Sequence, residues 1–113
     1  MVLTGKAKEE FFNWLDNQGV NGIDISNWEF EKFHLLSNVS QNSLIIEWFD
    51  SVGIYIEISF YDDCYWTYNI YSNKPVLEKE TANICNNRQE ATEEAIKKAN
   101  EIYNEKIAYC NIQ

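Results

Sequence analysis

Three runs of strand-forming residues follow one another between positions 44 and 71: LIIEWFD (44–50), GIYIEISFY (53–61) and YWTYNIY (65–71). Their β-branched and aromatic content, with turn residues between them, predicts three antiparallel strands joined by tight hairpins. A three-residue loop, Ser51-Val52-Gly53, would place Gly53 where a left-handed residue and a bulge are needed. Leu44 then pairs with Phe60, Ile46 with Ile58 and Trp48 with Ile56. A second loop, Asp62-Asp63-Cys64, pairs Phe60 with Trp66, Ile58 with Tyr68 and Ile56 with Ile70. Both hairpins yield one wholly apolar face, which a buried sheet surface requires. The opposite face carries Ile45, Glu47, Phe49, Tyr55, Glu57, Ser59, Tyr61, Tyr65, Thr67, Asn69 and Tyr71.

Helices flank this region. Thr4 is a helix N-cap, Gly19 follows the helix end, and Ala7, Phe11, Trp14, Leu15 and Gln18 recur at helical spacing. Phe11, Trp14 and Leu15 form the buried stripe and Phe12 falls off it. Ser26 with Glu29 makes a capping box, predicting a short helical turn over Asn27 to Phe33. Residues 72–87 are polar, hold the only proline, Pro75, and leave room for a short edge strand around Val76 and Leu77. Asn87 with Glu90 caps a last helix whose apolar stripe, Ala91, Ala95, Ile96, Ala99, Ile102 and Tyr103, is rich in small residues. The expected fold is α+β and two-layered, a three-stranded antiparallel meander packed against N- and C-terminal helices. Its order is α-(short α)-β-β-β-α, in a single domain spanning residues 1–113.

Charge narrows the function classes. Nine Lys and Arg against eighteen Asp and Glu give a net charge of −9. Nucleic-acid affinity rests largely on cations that displace counterions from phosphates, so a direct DNA or RNA binder is disfavoured. The element order is shared with double-stranded RNA-binding domains, but Asn87-Arg88-Gln89-Glu90 and Glu93-Glu94 stand where those carry a basic patch. A protein with a basic surface is the better partner. Cys64, Cys85 and Cys110 are odd in number and lack C-x-x-C spacing, which reads as reduced thiols in a cytoplasm. The N-terminal MVLTGKAKEE has no apolar signal region, and no run reaches membrane-span length. A cytoplasmic setting within a bacterial host cell, without membrane contact, is expected.

No motif supports catalysis, a cofactor or a metal. The glycines are dispersed, so no phosphate loop exists, and the single histidine, His34, rules out multi-histidine metal centres. Glu47 and Glu57 face each other across the first two predicted strands, a like-charge pair that is destabilising unless solvated or used. As a carboxylate pair they could serve a hydrolase, but a short sheet face offers little depth for a water-excluding cleft. Tyrosine gives large contact area at low entropic cost. The candidate partner-binding surface is therefore Glu47, Phe49, Tyr55, Glu57, Tyr61, Tyr65 and Tyr71.

The segments EWFDSVGIYIEI and RQEATEEAIKKANEIYN resemble those of small uncharacterised bacteriophage and prophage proteins, in which a D-S-x-G hairpin precedes a final helix opening with R-Q-E-A. The resemblance implies a mobile-element context and carries no known activity. Together with size and acidity it suggests a non-enzymatic protein-binding module, such as an inhibitor of a host defence nuclease in the manner of anti-CRISPR proteins. A structural or assembly component of a phage particle is the alternative.

Overall fold

The computed structural model describes residues 2–18, 32–61, 64–72, 80–81 and 85–107. Helix α1 spans Gly5–Gln18 and α2 spans Asn38–Ser51, with a 3-10 turn at Phe33–Leu35 before it. Strands β1 (Ile54–Tyr61) and β2 (Tyr65–Ser72) form an antiparallel hairpin, and β3 (Glu80–Thr81) is a two-residue strand beside β2. Helix α3 runs from Arg88 to Ile102 and continues into a π-helical turn, Tyr103–Ile107. The fold is α+β. The predicted turn over Asn27 to Phe33, apart from its last two residues, lies outside the described residues, as do Pro75, the edge strand at Val76 and Leu77, and Cys110.

The first predicted strand is a helix. Residues 44–50 belong to α2, so the pairings of Leu44, Ile46 and Trp48 with β1 do not form and the expected three-stranded meander is replaced by the two-stranded hairpin with its short flank. The cause is periodicity. As a strand, 44–50 would turn Ile45 and Phe49 to solvent, whereas as a helix it buries Ile45, Trp48 and Phe49 on one stripe at spacing i, i+3, i+4. Ser37 caps the helix by accepting from the Ser40 N–H at 3.2 Å. Gln41 reinforces the start, its Nε2 donating to the carbonyls of Phe33 and Leu36 at 3.2 and 3.1 Å. Gly53 does adopt a left-handed φ of 85°, but as the residue that closes α2, its N–H donating to the Asp50 carbonyl at 3.2 Å. The D-S-x-G motif is accordingly a helix C-terminus and not a hairpin.

The second hairpin has the expected register. Phe60 pairs with Trp66, Ile58 with Tyr68 and Ile56 with Ile70 across β1 and β2. Helices α2 and α3 lie on this inner face, and α1 packs chiefly on α2 and the π-helical turn. The C-terminal helix thus lies against the sheet as expected, while α2 takes the place expected of the N-terminal helix. Burial is uneven along the inner face: Ile54 and Ile70 are fully buried, Ile56 and Ile58 are half-buried, and Phe60 is 50% exposed. Trp66 lies 5.0 Å from the Phe60 ring and carries the Arg88 guanidinium 4.7 Å above its own.

Trp48 sits at the centre of the core, with ring centroids of Phe49, Tyr103 and Phe11 at 4.8, 5.0 and 6.0 Å. Such aromatic pairs contribute about 0.5–1.5 kcal/mol each beyond the area they bury. Phe11 and Leu15 are buried as the α1 stripe requires, while Trp14 is only half-buried. Phe12 is also buried, because Phe33 packs on its ring at 5.4 Å and widens the apolar stripe. In α3, Ala91, Ala95 and Ala99 are fully buried, the small side chains letting the helix approach the sheet. Asn87 caps α3 by accepting from the Glu90 N–H at 2.8 Å, and Glu90 reaches back to the Asn86 N–H at 3.4 Å.

The π-helical turn closes the fold onto the N-terminus. Asn104 Oδ1 accepts from the Ala7 N–H at 2.8 Å, so a side chain nearly a hundred residues away does the capping expected of Thr4. Thr4 instead holds the buried Asn100, its N–H donating to Oδ1 at 2.9 Å and its hydroxyl accepting from Nδ2 at 3.0 Å. Tyr103 donates its hydroxyl to Glu10. Gly5 has a φ of 60° at this junction, and a Cβ there would lie 3.2 Å from the Asn104 amide.

Candidate functional site

Of the seven residues predicted to form a partner surface, the structure brings five together. Tyr55, Glu57 and Tyr61 alternate along β1, and Tyr65 and Tyr71 stand on β2 on the same outer face. The register places Tyr55 opposite Tyr71, Glu57 opposite Asn69, Ser59 opposite Thr67 and Tyr61 opposite Tyr65. Two tyrosine pairs therefore bracket a polar middle. The Tyr61 and Tyr65 rings are 5.6 Å apart and tilted by 39°. Tyr55 and Tyr61 are 43% and 54% exposed.

The other two residues are elsewhere. Phe49 is completely buried beside Trp48, because its segment is helical. Glu47 is exposed on α2, one turn before Asp50. Desolvation, and then the Glu47 carboxylate, hold the Asp50 carboxyl above the usual range. The cross-strand pairing of Glu47 with Glu57 that would have served a hydrolase does not form. Glu57 meets an amide instead of a second carboxylate.

That amide organises the site. Asn69 Nδ2 donates to Glu57 Oε1 at 3.1 Å, and the Tyr71 hydroxyl donates to the same oxygen at 3.5 Å. Both donors come from β2, whose alternation puts residues 69 and 71 on one face. They fix the carboxylate between the tyrosine pairs without neutralising it. Among the described residues no cation pairs with Glu57, so its negative charge faces solvent unmatched. Asn69 was part of the outer face by sequence, and the expected register already sets it opposite Glu57, but its role shows only in the hydrogen bond that its amide donates to the carboxylate.

Other groups offer less. His34 is exposed on the 3-10 turn. Cys64 is exposed and Cys85 buried. Burial, then Glu90 and Glu94, push the Cys85 thiol up, which keeps it protonated and poorly nucleophilic at neutral pH. A groove of about 200 Å³ beside α3 is lined by Tyr68, Glu94, Lys97, Lys98 and Glu101, with acids and lysines in balance. Among the described residues no group of three His, Cys, Asp or Glu is placed to hold a metal, and no helix is long and apolar enough to cross a membrane.

Comparison with protein-family models, with characterised proteins and with solved structures finds no significant match to this chain.

Proposed function

We propose that this chain is a non-enzymatic protein-binding module of a bacteriophage or prophage, engaging a partner with a basic surface through Tyr55, Glu57, Tyr61, Tyr65 and Tyr71. The observation that carries the proposal is the outer face of the hairpin, where Asn69 and Tyr71 hold an exposed, unmatched carboxylate between two tyrosine pairs. A cation from a partner meets a carboxylate already oriented, and tyrosines that lose little entropy on contact flank it. The net charge of −9 favours encounter with a basic protein over an acidic one.

The phage context is supported by the resemblance of the α2–β1 junction and of the R-Q-E-A start of α3. Inhibition of a host defence nuclease is the form of this function that small size and acidity favour, since nucleases present basic surfaces to their substrates. The test is capture of partners from a natural host lysate on the wild-type chain and on a Glu57→Lys variant, read by mass spectrometry. A basic, nucleic-acid-binding host protein retained by the wild type and lost by the variant is expected. Equal recovery on both baits, or recovery of capsid components alone, would overturn the proposal.

A further inference from the structure

Strand β1 has β2 on one side only, and among the described residues no strand pairs with its other edge. The direction of its backbone groups follows from β2. The Trp66 N–H donates to the Cys85 carbonyl at 3.0 Å and the Cys85 N–H to the Trp66 carbonyl at 2.8 Å, so the backbone groups of Trp66 turn away from β1. In an antiparallel ladder bonded and non-bonded pairs alternate, so Phe60 with Trp66, Ile58 with Tyr68 and Ile56 with Ile70 are non-bonded pairs. The N–H and C=O groups of Ile56, Ile58 and Phe60 therefore point out along the open edge.

Natural sheets blunt such edges with charged side chains, lysine above all, with proline, a bulge or a short strand, or by covering them with a helix or loop. In its eight residues, IYIEISFY, β1 has no lysine, proline or bulge, and of these devices it carries one charge, Glu57. Among the described residues no cation pairs with Glu57, and the side chains turned to the inner face along this edge, Ile56, Ile58 and Phe60, are half-buried or exposed. We infer that the β1 edge takes an extended, basic segment of the partner as an added strand, with an arginine or lysine opposite Glu57 and apolar residues opposite Ile56 and Ile58. This deepens the proposed function and rests on its basic-partner reading.

The pairing phase explains the specificity. Glu57 falls in a non-bonded pair with the incoming strand, where facing side chains are closest and opposite charges gain most. Ile56 and Ile58 fall in bonded pairs, and apolar residues facing them extend the inner surface toward Phe60. Main-chain bonds give affinity and the alternating pockets select sequence. A second copy fits the edge less well, because each copy brings a further charge of −9.

The test uses a synthetic peptide of about ten residues alternating Val with Arg, and a second of the same composition with the two residue types in separate blocks. Amide exchange is followed on the full chain. Ile56, Ile58 and Phe60 should exchange fast in the protein alone and slow by about tenfold or more with the alternating peptide only. Glu57→Lys should weaken that peptide by about tenfold. Binding without protection of these three amides would overturn strand addition while leaving the outer face as a docking surface. Protection with affinity unchanged in Tyr55→Ala and Tyr61→Ala would uphold the edge and remove the outer face from the function proposed above. Protection that appears without peptide and grows with protein concentration would identify a second copy as the occupant and overturn the inference, as would failure of both peptides to bind.

Discussion

Asn100, buried in the last helix, exchanges two hydrogen bonds with Thr4 at the start of the first: the Thr4 N–H donates to Oδ1 at 2.9 Å, and Nδ2 donates to the Thr4 hydroxyl at 3.0 Å. Asn104 adds bonds to the Thr4 carbonyl at 2.9 Å and from the Ala7 N–H at 2.8 Å. A helix N-terminus leaves backbone N–H groups without partners, and here the other end of the described chain supplies them. Asn100→Ala should cost about 1–3 kcal/mol, because the partners on Thr4 are left partly buried and unsatisfied. Asn100→Asp tests the same clasp by charge, since it keeps the acceptor and loses the donor. Chemical denaturation of both variants gives the answer, and a loss below about 0.5 kcal/mol for each would show that the clasp adds little.

Tyr103 sets a pH dependence. Burial, then its hydrogen bond to Glu10 and the charge of that carboxylate, raise the phenol above its ordinary value of 10.0. A group raised in the folded state contributes stability that is fully present below the unfolded value and is lost as pH rises above it. Stability should therefore fall above pH 10.0 with a contribution from this group of about 1.4 kcal/mol per pH unit. Tyr103→Phe should be less stable at neutral pH by about 1–3 kcal/mol and should lose stability less steeply above pH 10.0. Parallel slopes for the two proteins in alkaline denaturation would contradict this role.

Phe49 separates the two descriptions of residues 44–50. In α2 it is fully buried against Trp48, so Phe49→Ala should cost about 3–5 kcal/mol. On the solvent face of a strand the same change would cost under about 1 kcal/mol. Thermal or denaturant unfolding of this one variant decides between them.

That segment also shows where sequence was a sufficient guide and where it was not. LIIEWFD contains five apolar residues in seven, a density that meets period 2 and period 3.6 alike, and four of the five, Ile45, Ile46, Trp48 and Phe49, favour strands. The signal against a strand was the consequence that Ile45 and Phe49 would face water, together with Ser37 as an N-cap. The β1–β2 register was legible because the three residues between Tyr61 and Tyr65 fix it and each face is uniform. Tyr55, Glu57, Tyr61, Tyr65 and Tyr71 were legible for the same reason. Asn87 and Glu90 announced α3 because a cap is a local device. The half-exposure of Phe60 and the Arg88 cover on Trp66 were not legible, since they depend on how far the helices extend along the sheet.

The last prediction concerns how the outer face is organised. Asn69 is the donor nearest Glu57, at 3.1 Å, and its removal should free the carboxylate to rotate without removing its charge. Asn69→Ala should then weaken a basic partner by a few-fold, through the entropy of ordering Glu57 on contact, while Glu57→Lys should weaken it by tenfold or more, roughly 1.4 kcal/mol. Neither change should lower the thermal midpoint by more than a few degrees, because Glu57 is exposed and contributes little to the core. The salt dependence separates charge from shape: affinity of the wild type and of Asn69→Ala should fall together as ionic strength rises, and that of Glu57→Lys should fall less. An equal salt slope in all three proteins would mean that Glu57 does not meet the partner's cations, and Glu9, exposed on α1, would be the charge to reverse next.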